Sequence, residues 1–163
     1  FDLIVVGTGA GGSGVATRCA KAGWHVAVID DEPYGGTCAL RGCDPKKVLV
    51  GVAEAVDWNR RMNGHGVAGE ARIDWPALMK FKRTFTEPVT PRQEANYKSL
   101  GVESYNGVGR LVGPDRCVAD EKELMSKFIF IASGTEPITP GLRGEEHVWT
   151  REESRALDGL APR

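Results

Sequence analysis

Two apolar runs near the start of the chain, Leu3-Ile4-Val5-Val6 and Val26-Ala27-Val28-Ile29, are short, rich in β-branched residues and free of polar alternation. That pattern predicts strands buried on both faces, the kind found in parallel sheets, over Asp2 to Val6 and His25 to Ile29. Between them Ser13 to Ala22 reads as a helix with Ala and Val on its buried side, stopped by Gly23. Further on, Thr37 to about Met62 reads as largely helical, with an apolar stripe from Val48 to Trp58 and a break at Asn63-Gly64-His65-Gly66. Asp74 is placed to cap a helix opening at Trp75-Pro76. That helix runs towards Ser99, is disturbed at Pro88 and Pro91, and ends at Gly101.

Beyond Gly101 the period shortens. Val102 to Tyr105, Gly109 to Val112, Cys117 to Ala119 and Lys127 to Ala132 read as strands. Turns at Gly113-Pro114-Asp115 and near Asp120-Glu121 separate the last three into a small antiparallel β-meander. The tail from Gly141 is polar, and no internal repeat or low-complexity segment is present. The whole pattern predicts an α/β fold, a doubly wound, Rossmann-like parallel sheet carrying that meander.

Gly7-Thr8-Gly9-Ala10-Gly11-Gly12 has the spacing G-x-G-x-x-G. Alone it says little; here it follows a predicted strand and opens a predicted helix, the context that makes a dinucleotide turn credible, the alternative being a structural glycine turn with no ligand. Gly7 allows the tight turn, Gly9 lets the backbone approach a pyrophosphate, and Gly12 permits close contact of helix and strand. The helix N-terminus offers amides and positive dipole to the phosphate. Asp30 closes the second strand, where its carboxylate can accept from the hydroxyls of an adenosine ribose. Asp31 and Glu32 beside it would repel a 2′-phosphate, so FAD or NAD suits the turn better than NADP.

Cys38 and Cys43 lie five positions apart just after this unit. In a regular helix such residues are about 7.5 Å apart along the axis. A disulfide needs Cα atoms within roughly 4.4–6.8 Å. The pair can bridge only where the helix is distorted, and Gly42 is the residue that permits it. A strained, small-loop disulfide is readily reduced, which suits redox work. A helix N-terminus and Lys46 and Lys47 favour negative charge on sulfur there, while Asp44 opposes it. Two inert thiols, or half of a metal site, are the alternatives. A metal site would need a second ligand pair, and neither Cys19 and Cys117 nor the three histidines show ligand spacing.

With 163 residues the chain suffices for about one domain. A net charge of −1 gives no electrostatic case for nucleic acid or an anionic membrane, and no apolar run reaches the roughly 20 residues of a membrane helix. Paired cysteines without a disulfide-rich scaffold point to a cytoplasmic setting.

The segment Gly36-Thr37-Cys38-x-x-x-Gly42-Cys43-x-Pro45-x-Lys47, downstream of the glycine turn, resembles the class I pyridine nucleotide-disulfide oxidoreductases. Phe128 to Thr135, ending Ala132-Ser133-Gly134-Thr135, is similar to a later segment of that family, and Gly107-Val108-Gly109-Arg110 falls where the family's backbone meets adenine. The resemblance implies FAD as cofactor and NAD(P)H as co-substrate. Gly9, Ala10, Gly11 and Gly12, with Gly36 and Thr37, would then receive the pyrophosphate; Asp30 would hold the ribose; Gly109, Ser133 and Gly134 would complete the site. Cys43 is implied as the flavin-side thiol and Cys38 as the interchange thiol, with Lys46 or Lys47 approaching the isoalloxazine. Leu40 and Asp44 depart from the family's usual Asn and apolar residue at those positions.

The implied activity passes electrons from NAD(P)H through FAD to the Cys38–Cys43 pair, and on to a small-molecule disulfide or thiol-reactive substrate. The alternative is a transhydrogenase or electron-transfer flavoprotein that makes no use of the cysteines. The resemblance also implies that residues 1–163 are the N-terminal part of an FAD-binding domain within a homodimer. The NAD(P)-binding and C-terminal dimerisation domains would lie outside this chain. The segment by itself is therefore expected to expose apolar surface and to bind FAD weakly.

Overall fold

β1 (Leu3–Val6) and β2 (Val26–Asp30) flank α1 (Ala10–Lys21), and the two strands pair in parallel with Leu3 opposite Val26 and Val6 opposite Ile29. The computed structural model describes residues 1–150 and residues 153, 154, 157 and 159; the end of the 1–163 span lies outside the described residues. Downstream come α2 (Gly36–Leu40), α3 (Cys43–Met62), α4 (Trp75–Thr86) and α5 (Val89–Ser99). They are followed by β3 (Glu103–Asn106), β4 (Arg110–Leu111), β5 (Arg116–Ala119), β6 (Lys122–Met125) and β7 (Phe128–Ile131). The chain divides into two compact units. One comprises Phe1–Cys38 with Pro88–Glu136, the other Ala39–Glu87 with the described residues from Pro137 onward.

In the first unit four parallel strands lie in the order β3-β2-β1-β7. Alternation across the pleat sends Leu3, Val5, Val26 and Val28 to one face, where they pack with Ala16 of α1 and with Tyr34, Tyr97 and Val102. Ile4, Ala27 and Ile29 face the other way, against Cys117, Ala119 and Leu124 of the antiparallel β4-β5-β6 sheet. Both faces are covered, which is why β1 and β2 carry no polar alternation. Leu3, Ile4 and Val5 of β1, and Val26 to Ile29 of β2, are buried.

The structure redraws several expectations. The meander's third strand is β6, whereas Phe128–Ile131 leaves it to pair in parallel with β1. Its apolar run lies at the edge of the parallel sheet, with Phe128, Phe130 and Ile131 exposed; β6, with Lys122 and Glu123 in it, carries too little hydrophobic signal to be read as a strand. Val102 to Tyr105 likewise becomes β3, a parallel neighbour of β2. The long helix to Ser99 splits at Glu87-Pro88, because Pro88 has no N–H to continue the ladder. Pro91 is accommodated in the first turn of α5, where no intrahelical donor is needed. The helix predicted from Thr37 is also interrupted, at Arg41-Gly42, and α1 begins at Ala10 rather than Ser13. The poor helix propensity of Gly11 and Gly12 had hidden that first turn.

In the second unit α3 packs against α4. Asp74 caps α4, its Oδ1 accepting from the Ala77 N–H at 3.1 Å. Trp75 Nε1 donates to the Leu157 carbonyl at 3.1 Å. Much apolar surface stays exposed in this unit, notably Trp58, Phe81, Phe85 and Ile73.

Candidate functional site

The carboxyl ends of β1, β2 and β7 meet where the strand order changes direction about β1, the position at which open α/β sheets bind ligands. Local sequence builds a close-packed turn there. Gly7 has φ +100° and donates its N–H to the Ile29 carbonyl at 2.7 Å. A Cβ on Gly7 would collide with the Ala132 carbonyl, and one on Gly12 with the Gly7 carbonyl. These two glycines are therefore demanded by contact of strand, turn and helix. α1 starts without a side-chain cap at Gly9, so the amides of its first turn, at Ala10, Gly11 and Gly12, are left for another acceptor.

Gly36, at φ +71°, opens α2 directly against this turn: a Cβ on Gly36 would strike the Gly9 Cα. Backbone meets backbone, so the cysteine-bearing loop is seated on the dinucleotide turn within the first unit. Thr37 is half-buried one residue on, and Cys38 is exposed.

Asp30 ends β2 beside a cleft of about 400 Å³. Gly7, Asp31, Gly109, Ser133 and Gly134 line it with Asp30, as does Glu136. The described lining thus carries three carboxylates and no lysine or arginine, an environment that accepts a neutral ribose and repels a phosphorylated one. The Asp30 carboxylate is itself held on both oxygens. Oδ2 accepts from the Thr8 N–H and the Thr8 hydroxyl, each at 2.6 Å, and Oδ1 accepts from the Glu32 N–H at 3.1 Å. A carboxylate offers about four lone-pair sites. The capacity left for a ligand therefore lies mainly on Oδ1.

Thr8 is the residue that sequence reasoning missed. It is fully buried, and its hydroxyl also accepts from the Gly35 N–H at 3.3 Å. A hydroxyl-bearing residue between the two turn glycines, with an acid at the end of the next strand, is the signal that could have found it. Tyr34, just before Gly35, is also buried; desolvation, and then the nearby Asp30 charge, push its phenol up to about 12.

Cys43, Lys46 and Lys47 belong to the second unit. Cys43 is the first residue of α3, and the two lysines lie three and four positions on, hence on its own helix face. All three are exposed. Gly42, at φ −119° and ψ −107°, breaks the helix between the two cysteines. Among the described residues no cluster of three or more His, Cys, Asp or Glu is placed to hold a metal ion, and no helix is long and apolar enough to cross a membrane.

The family described as pyridine nucleotide-disulphide oxidoreductase matches residues 1–160. The chain is 30% identical to a glutathione reductase of Burkholderia cepacia over its whole length and 36% of the relative's. It is 28% identical to a dihydrolipoyl dehydrogenase of Acholeplasma laidlawii, covering 93% of this chain and 46% of that one. The chain thus spans between about a third and a half of these two relatives. Among solved structures it superposes with TM-score 0.83 and 23% identity on the HOCl-induced flavoprotein disulfide reductase RclA from Escherichia coli, over 98% of this chain and 35% of that one. That likeness is one of fold.

Proposed function

The chain belongs to the pyridine nucleotide-disulphide oxidoreductase family, and on that premise we propose that it is the N-terminal part of the FAD-binding domain of an NAD(P)H-dependent disulfide oxidoreductase. The observation that carries the reading is the seating of Gly36 on Gly9, which ties a dinucleotide turn to the loop bearing Cys38. Gly9 to Gly12 receive the pyrophosphate on backbone amides, Asp30 orients the ribose through Oδ1, and Gly109, Ser133 and Gly134 line the adenosine side of the cleft. The residues fit the group: glycines let strand, turn, helix and loop close backbone on backbone, and the first-turn amides of α1 carry no side-chain cap. Bound flavin supplies the exchange of two electrons between a nicotinamide and a dithiol.

The chain's own chemistry is that of the two sulfurs. Two electrons and two protons convert the Cys38–Cys43 disulfide to a dithiol. The Cys38 thiolate attacks a substrate disulfide, releases one substrate thiol and leaves a mixed disulfide. Cys43 displaces the second substrate thiol and restores the internal bond. Lys46 and Lys47, one turn from Cys43, supply positive charge near that sulfur. The substrate is a small-molecule disulfide or thiol-reactive compound, and the complete protein is a cytoplasmic homodimer.

The test is made on the full-length protein with Cys38→Ser and Cys43→Ser. Disulfide reduction is expected to fall roughly a thousandfold or more in each, while NAD(P)H oxidation by an artificial electron acceptor persists. The parent is expected to gain a long-wavelength absorbance band after two electrons, and Cys43→Ser to lack it. Variants that still reduce disulfides at the parent's rate would hand the lead to a flavoprotein whose cysteines are bystanders.

A further inference from the structure

Thr8 makes more of its hydroxyl than a turn requires. The side chain is fully buried at the centre of three chain segments: the glycine turn, the end of β2 and the loop that leads into α2. Its Oγ1 donates to Asp30 Oδ2 at 2.6 Å and accepts from the Gly35 N–H at 3.3 Å. One donor and one of two acceptor sites of the hydroxyl are thus used, each on a different segment. Its backbone N–H adds a second bond to the same Oδ2, so that oxygen is committed, while Oδ1 holds one donor, the Glu32 N–H, and keeps acceptor capacity.

We propose that Thr8 is a positioning residue that couples the nucleotide site to the cysteine loop. By fixing Asp30 it sets which carboxylate oxygen meets the ribose, and by holding Gly35 it sets the register of the Gly36–Cys38 segment against the turn. The inference rests on the FAD reading above only for the identity of the ligand; the tie between Asp30 and Gly35 exists without one. Valine removes the hydroxyl and keeps the shape, leaving Asp30 with one donor fewer and the Gly35 amide without its acceptor. Serine keeps the hydroxyl and loses only the methyl group.

The experiment compares Thr8→Val and Thr8→Ser in the full-length protein by two readouts. The first is amide hydrogen exchange of residues 34–40 in the cofactor-free protein, and the second is the dissociation constant for FAD. Thr8→Val is expected to speed exchange and to weaken FAD about tenfold, as for loss of one bond to a charged group. Thr8→Ser is expected to return both to within about twofold of the parent. Exchange and affinity unchanged in Thr8→Val would overturn the coupling. So would a loss that serine fails to rescue, since packing of the methyl group would then be responsible. If the parent itself binds no FAD, the functional reading falls, and the exchange readout alone decides the role of Thr8.

Discussion

Three of the four residues of β1 are buried, whereas α3, with 20 residues, buries only Pro45. Both stretches are read from hydrophobic signal, an uninterrupted apolar run in β1 and an apolar stripe in α3. The difference lies in what surrounds them. β1 has strands on both edges and a layer on each face, so every side chain it projects finds a partner. Within its unit α3 meets α4 along one stripe and leaves Val50, Trp58 and Met62 exposed, while α4 leaves Phe81 and Phe85 stacked edge-to-face on each other in the open. Hydrophobicity of a sequence therefore reports what a segment can bury, and the number of covering layers decides what it does bury.

The most direct way to sharpen the contrast is to remove volume from the sheet. Ile4 is fully buried in the central strand β1 and packs with Ala27, Ile29 and the antiparallel sheet. Ile4→Ala is expected to cost about 2–5 kcal/mol, through lost transfer energy and the cavity left behind. Urea denaturation of the protein measures it as a lower midpoint at unchanged slope. A cost below about 1 kcal/mol would mean the site collapses freely, and the rigid, two-layered picture of the sheet would fail.

What could be read beforehand follows the same line. β1, α1, β2 and the glycine turn are local: a strand-length run, a glycine spacing and a capped helix each carry their meaning within a few residues. The assignment of β3 and β7 to the parallel sheet is not local, because it depends on partners more than 70 residues away in sequence, Ala27 with Glu103 and Val5 with Phe130. The cysteine loop divides in the same way. Its residue types and the need for a distortion at Gly42 were legible. The contacts of Thr8 were legible only in part: a hydroxyl between the turn glycines and an acid ending the next strand hint at the Asp30 bond, whereas the Gly35 bond exists only once the loop arrives from elsewhere.

A second contrast is chemical. The layer over one face of the sheet buries two phenols, Tyr34 and Tyr97, whose rings meet edge-to-face at 6.0 Å. Burial raises both, Tyr34 to about 12. An unfolded tyrosine ionises near 10. Between those values the folded protein retains protons that the unfolded chain has lost, so folding stability falls as pH rises from about 10 towards 12 and is unaffected by these groups below that window. Denaturation midpoints measured at pH 9 and pH 11 should show the loss, and Tyr34→Phe with Tyr97→Phe should remove most of it. Tyr105, also raised by burial and by Glu103, and the Cys117 thiol, raised by burial, stay in that variant and account for a residual slope. A double variant as alkali-sensitive as the parent would place the titration outside this layer.

The smallest effect is expected where the side chain is largest. Trp58 on α3 is 64% exposed, so its ring has little to lose on truncation. A tryptophan cut to alanine in a packed core costs about 3–5 kcal/mol; at Trp58 the same change should stay within roughly 0.5 kcal/mol. The pair Ile4→Ala and Trp58→Ala thus inverts the order that side-chain size alone would give, and that inversion is the comparison in its most testable form. If Trp58→Ala in the complete protein instead cost as much as a core truncation, the ring would have to be covered there by chain or by a partner outside the described residues. The rule drawn from β1 and α3 would survive that result, because a further layer would have supplied the burial that α4 does not.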